Sequence, residues 1–153
     1  MDPRYAGGKG ERAFINNIGI AKDFKPGNID DSFFNSYITV FGGTALVPNI
    51  HDKLQILLEK AKRNGCLTIV HTVFDFRNEK NNPGKPWPLV ETEKSFPLID
   101  LLIVDHEEAL KISGTDAVKK ASEYFISEKV PALLLPMEPT ISCYILLATY
   151  SPG

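Results

Sequence analysis

Cysteine is nearly absent from this chain: Cys66 and Cys143 are the only two in 153 residues. That excludes a small disulfide-stapled scaffold. Neither thiol has the closely spaced second ligand that a structural zinc site uses. Both are expected to be buried, reduced thiols of a cytoplasmic protein. His51, His71 and His106 also lack ligand spacing, so zinc is not expected. No apolar run approaches the ~20 residues that cross a bilayer, and the start, Met1–Tyr5, has no apolar signal-peptide core. Neither charge sign dominates, with 17 Lys and Arg against 19 Asp and Glu and a net charge of -2. This balance argues against nucleic acid or an anionic membrane as a partner. No internal repeat is present.

What remains is ordinary for a soluble globular chain: 43% hydrophobic and 24% charged residues, over a length that allows one domain with a buried core. The glycine-rich start, Gly7-Gly8-Lys9-Gly10-Glu11, lacks the Ser or Thr that follows the lysine of a phosphate loop, and no helix pattern begins there. It reads as a loop.

Downstream, strand and helix signals alternate. Ala13 to Ala21 reads as a strand interrupted by asparagines, and Asp30-Asp31 as the start of a short helix through Phe33, Phe34 and Tyr37. Ile38-Thr39-Val40-Phe41 reads as a buried strand ending in a turn at Gly42-Gly43. Leu54, Leu57, Leu58 and Ala61 mark the inner face of an amphipathic helix stopped by Asn64-Gly65. Cys66 to about Phe74 returns as a strand, completing a βαβ unit with parallel strands. A loop is expected from Arg77 to Pro88, then a strand over Asp100–Val104. A helix over Glu107–Ile112 follows, closed by Ser113-Gly114. Thr115 is expected to cap a further helix burying Ala117, Ala121, Tyr124 and Phe125, before a last strand over Val130–Leu135. This order predicts a Rossmann-like three-layer α/β/α sandwich with a mostly parallel sheet covered on both faces.

Ligands of such sheets bind outside the carboxyl ends of the strands. Three clusters fall there: Gly42-Gly43-Thr44, Asp75 with Arg77, and Asp105 with Glu107 and Glu108. Glycines let a ligand approach the backbone, and carboxylates can hold magnesium through waters or accept hydroxyl hydrogen bonds. Each cluster also admits a structural role. The glycines can turn the chain, Asp75 and Arg77 can form a local ion pair, and Asp105 can cap a helix whose dipole Glu107 and Glu108 complement. The residues alone point to a nucleotide- or sugar-sized ligand. The absence of a Gly-x-Gly-x-x-Gly turn argues against a dinucleotide.

Three segments resemble PfkB (ribokinase-like) carbohydrate kinases: Gly10–Gly19, Thr72–Arg77 and, most specifically, Asp100–Gly114, where an apolar strand runs into Asp105-His106-Glu107-Glu108 and a short helix ending in Ser113-Gly114. The last is similar to the family's Asn-x-x-Glu segment, with Asp105 standing where the family has Asn. The resemblance implies an incomplete ribokinase-like fold over 1–135, and a transfer of phosphoryl from ATP to a sugar hydroxyl with Mg2+. Asp105 and Glu108 are then the metal and nucleotide pair, with Asp75 and Arg77 on the phosphate side. Glu11, Arg12, Gly42 and Gly43 lie on the sugar side. The family's catalytic base sits in a Gly-Ala-Gly-Asp segment that this sequence does not contain, and it is expected beyond the C-terminus. The chain is therefore expected to be a truncated and inactive piece, or else a non-catalytic nucleotide- or sugar-binding module. Residues 136–153 depart from the family's Thr-x-Gly-x-x-Gly continuation. In the frame two bases forward, Met137-Glu138 forces a Gly codon, and Ser142–Ile145 spells Leu-Leu followed by Tyr or His if Ser142 has an AGY codon, so this tail is read as a frameshift product. An incomplete sheet is also expected to expose apolar faces and edges and to self-associate through them.

Overall fold

The computed structural model describes residues 17–135 and the backbone of 136–137 and 142–147. Five strands form one sheet in the order β1 (Ile38–Gly42), β2 (Leu67–His71), β3 (Leu101–Ile103), β4 (Ala132–Met137) and β5 (Ser142–Leu147). The first four pair in parallel, with Val40 opposite Ile69, Ile69 opposite Leu101 and Leu102 opposite Leu133. β5 returns antiparallel to β4. The mostly parallel α/β architecture read from the sequence is thus present. β4 continues to Met137, two residues into the segment set apart as a tail, and β5 lies within that segment.

Helices α1 (Pro48–His51) and α2 (Leu54–Arg63) join β1 to β2, and α3 (Phe76–Asn81) follows β2. α4 (His106–Ser113) and α5 (Val118–Ser127) join β3 to β4. Chain order and strand order coincide, so crossovers of one hand keep the connecting helices on one side. The burial pattern agrees. Thr39, Phe41, Thr68, Val70, Leu102, Leu133 and Leu135 are buried beneath Leu54, Leu57 and Leu58 of α2 and Phe125 of α5. On the other face Ile38, Val40 and Leu67 are 51, 54 and 56% exposed.

Several local readings change. Residues 19–21 of the expected first strand belong to a 3-10 turn, Gly19–Asp23, where Asn17 Oδ1 accepts the Gly19 N–H (3.0 Å) and Gly19 takes φ +53°; residues 13–16 lie outside the described residues. The helix expected from Asp30 to Tyr37 is a single 3-10 turn, Asp31–Phe34, capped by Asp30 through Ser32 N–H (2.8 Å). Part of the expected loop after Arg77 is helical, since Asp75 caps α3 by accepting the Asn78 N–H (3.0 Å). Ala117, not Thr115, sits at the cap of α5; the Thr115 hydroxyl is engaged with Ser113 Oγ (2.8 Å).

The connection from Asn82 to Ile99 contains no strand, yet it closes the core with Trp87, Leu89, Val90 and Phe96. Trp87 N–H donates to Lys111 O (3.0 Å) and its Nε1–H to Glu79 Oε2 (3.0 Å). Lys111 Nζ grips both Glu79 oxygens (2.7 and 2.8 Å) and lies 5.7 Å from the Trp87 ring centroid.

Asp100 performs the matching task at the opposite end of the sheet. Its Oδ2 accepts from Thr68 N–H (2.7 Å), Thr68 Oγ1 (3.0 Å) and Lys62 Nζ. Burial pushes its carboxyl up, but the Lys62 ammonium and the Thr68 donors outweigh this and hold it below the ordinary 3.8. A depressed carboxyl contributes stability above its unfolded value and loses it as pH falls through the folded one. Asp100→Asn is therefore expected to lower stability by about 1 kcal/mol at neutral pH. The gap from wild type closes on acidification below 3.8, which urea unfolding at a series of pH values measures.

Candidate functional site

Parallel strands bring their carboxyl ends to one edge of the sheet, where backbone direction and loops create a cleft. That edge carries Gly42 and Gly43 after β1, Thr72 to Asp75 after β2, and Asp105 to Glu108 after β3. Gly43 adopts φ +61°, a left-handed conformation that starts the 3-10 turn Thr44–Leu46, and its N–H donates to His71 O (2.9 Å). The turn after β1 is thereby fastened to the end of β2.

Asp105 is exposed and caps α4: its Oδ1 accepts the Glu108 N–H (2.8 Å). Glu108, one turn on, is only 6% exposed and accepts a hydrogen bond from Thr72 Oγ1. Thr72 Oγ1 also lies 3.3 Å from Ile103 O. Glu108 thus ties α4 to the ends of β2 and β3. Burial pushes its carboxyl up, the Asp105 carboxylate adds to that, and the Thr72 hydroxyl opposes it; the net shift is upward from 4.5. An acid raised in the folded state contributes stability that is complete below 4.5 and lost as pH rises through the folded value. Glu108→Gln keeps an acceptor for Thr72 and removes the titration. Its stability is expected to stay level across that window while wild type declines, as thermal melts at stepped pH can check.

Asp75 and Arg77 are not a pair. Asp75 is 2% exposed; it caps α3, its Oδ2 accepts from Asn78 Nδ2 (2.6 Å), and it lies 3.5 Å from His51 Nε2. Arg77 instead makes a two-pronged contact with Asp52, Nη1 to Oδ2 at 2.7 Å and Nη2 to Oδ1. The Asp52 carboxylate raises the Arg77 guanidinium, and Arg77 lowers Asp52 in return. Glu107 is exposed beside Asp105. Glu11 and Arg12, expected on the sugar side, lie outside the described residues.

The edge is acidic, with Asp105 at the cap and Glu107 and Glu108 in the first turn of α4. Phosphates are anionic, so these carboxylates can serve a nucleotide only through a cation between them. Hard carboxylate oxygens suit magnesium held through waters. Asp105 presents such an oxygen donor to solvent, whereas Glu108 must leave Thr72 to reach a metal. Among the described residues no group of three or more His, Cys, Asp or Glu could hold a metal ion. Three contributors were not singled out by sequence: Thr72, His51 and Trp87. Thr72 meets Glu108 across 36 residues, and His51 meets Pro88 across 37. Local spacing carries no trace of such contacts.

No sequence-family profile matches the chain, and no curated protein does. Solved structures do. Ribokinase from Giardia lamblia aligns with a TM-score of 0.66 at 16% identity over 92% of this chain and 42% of its own length. A putative ribokinase II from E. coli in complex with ATP and Mg2+ aligns with a TM-score of 0.62 at 14% identity, over 94% of this chain and 49% of its own. Fructokinase from Vibrio cholerae, in its fructose-, ADP- and calcium-bound form, aligns with a TM-score of 0.53 at 12% identity over 80% and 40%. The chain thus has the ribokinase-like fold and spans less than half the length of the solved structures it matches. No helix among the described residues is long and apolar enough to cross a membrane.

Proposed function

We propose that this chain supplies the nucleotide- and metal-binding half of an ATP-dependent carbohydrate kinase. The observation that carries the reading is the placement of Asp105 at the cap and Glu108 in the first turn of α4, directly beyond the carboxyl end of β3. Magnesium would be held through waters by Asp105, with Glu108 recruited from Thr72. When bound, it would neutralise phosphate charge that these carboxylates alone repel. Gly42 and Gly43 would lie toward the sugar; Glu11 and Arg12, expected to share that role, lie outside the described residues. Asp75 serves this site by building α3, and Arg77 would reach a phosphate only by releasing Asp52.

Phosphoryl transfer rests on positioning and electrostatics. A chain without the Gly-Ala-Gly-Asp segment lacks the base and the backbone amides that would stabilise the transferring group. That favours binding without transfer, which is also the behaviour of a non-catalytic module. The tail from residue 136 is read as frameshifted; sequencing the gene past that codon tests this, and no kinase-like continuation in the alternative frame would remove the idea.

The direct test substitutes Asp105→Ser, which retains a good helix cap while removing the carboxylate. Stability should be nearly unchanged, while magnesium-dependent ADP binding by calorimetry weakens by roughly 10–100-fold. Equal binding by both proteins would remove Asp105 from the site. In a coupled assay over a panel of sugars, the 153-residue chain is expected to show no transfer; turnover by this chain would contradict the account of the absent base.

A further inference from the structure

The residues Pro86, Trp87 and Pro88 join the two halves of the edge described above. Pro86 packs on Gly114 at the end of α4, close enough that an added Cβ would lie 2.8 Å from Pro86 Cγ. Trp87 is bonded to Lys111 and Glu79. Pro88 O, the next carbonyl, receives His51 Nε2 at 2.8 Å. His51 is itself 6% exposed, and its Nδ1 lies 3.1 Å from the buried Thr44 hydroxyl.

Hydrogen accounting orients this path. A proline carbonyl only accepts, so Nε2 carries the proton. In the neutral ring Nδ1 is then bare and accepts from Thr44 O–H. Asp75 Oδ2, at 3.5 Å from Nε2, favours the same arrangement. One ring therefore ties the turn after β1 to the 86–88 strap, and the strap is tied in turn to α4, which bears Asp105 and Glu108.

We infer that His51 is a positioning residue: through Pro88 and Trp87 it holds the Gly42-Gly43-Thr44 turn at a set spacing from α4, and so aligns the sugar-side and nucleotide-side halves of the edge. The inference rests on the function proposed above. It goes beyond it by assigning the alignment to a histidine to which the proposed function gives no role.

Trp87 is the chain's single tryptophan, so its emission reports on the strap. His51→Leu removes both hydrogen bonds while keeping an apolar side chain of similar bulk. Its Trp87 emission is expected to shift to longer wavelength with greater access to acrylamide, and magnesium-ADP affinity to fall severalfold. His51→Gln, whose amide can donate to Pro88 O, should recover the emission and most of the affinity. Unchanged Trp87 emission and quenching in a folded His51→Leu protein overturns the strap. A loosened Trp87 with unaltered magnesium-ADP affinity overturns the positioning role. Should His51→Leu fail to fold, ring-nitrogen NMR of wild type decides: a proton on Nε2 is expected, and a bare Nε2 refutes the path. Wild type that binds no magnesium-ADP would sink the proposed function, yet the emission and tautomer measurements would still judge the strap.

Discussion

Trp87→Ala is expected to destabilise the chain by about 3–5 kcal/mol, the range for removing a buried large aromatic side chain. Trp87 is 3% exposed and meets Phe74 edge-on with ring centroids 4.7 Å apart. Its removal leaves a cavity between α3, α4 and the strap that the surrounding helices cannot collapse without moving α4. It also strands Glu79, which loses the indole donor (3.0 Å) while keeping Lys111. Lys111 loses the ring over which its ammonium sits. Trp87→Phe retains most of the volume and should recover more than half of the loss, since a good part of the cost is cavity rather than hydrogen bond. Chemical denaturation followed by far-UV circular dichroism measures both variants, because the fluorescence signal is removed with the residue. A cost below that of an ordinary surface substitution would show that the strap is not part of the core.

Gly114→Ala is expected to cost about 2–5 kcal/mol, from two independent sources. Gly114 ends α4 at φ +67°, and an L side chain in the left-handed region costs about 1–2 kcal/mol. The added Cβ would also lie 2.8 Å from Pro86 Cγ and 3.6 Å from its Cβ. Overpacking of that kind adds about 1–3 kcal/mol where the neighbour cannot yield. Pro86 is a rigid ring held by Trp87 on one side, so the strap must shift as a unit. Gly65 supplies the control: it has φ +77° but nothing within 4 Å of an added Cβ, so Gly65→Ala should show the backbone cost alone. Thermal melts of the two variants separate the terms. Equal losses would mean that the Pro86 contact is soft.

The pair of glycine variants also shows what local sequence can reveal. Both helix ends were legible because Asn64-Gly65 and Ser113-Gly114 follow periodic apolar faces, and left-handed caps favour glycine whatever packs nearby. The parallel strands were legible for a similar reason: β-branched runs such as Cys66–Val70 and Asp100–Val104 have few other conformations that bury them. Thr72, His51 and Trp87 were illegible, since each acquires its role from a partner 8 to 37 residues distant that only the folded sheet brings near. The strand expected over Ala13–Ala21 shows the opposite error in its described part. Asn17, one of the asparagines that interrupt it, accepts the Gly19 N–H locally, and turn chemistry prevails over β propensity. At the site itself, Asp105 proved to be a helix cap, the structural role its sequence also allowed, and capping leaves it at the sheet edge where a cation can still be met through water. The residue's structural and proposed functional roles are compatible because an N-cap uses one carboxylate oxygen.

The most direct test of the account is a magnesium-ADP titration of the isotopically labelled chain followed by amide NMR. Saturable shifts should cluster at Val104 to Glu108 and at Thr72, and should vanish when EDTA removes the metal. No saturable shifts, or shifts centred on α2 and the exposed face of β1, would contradict a nucleotide and metal site at the start of α4.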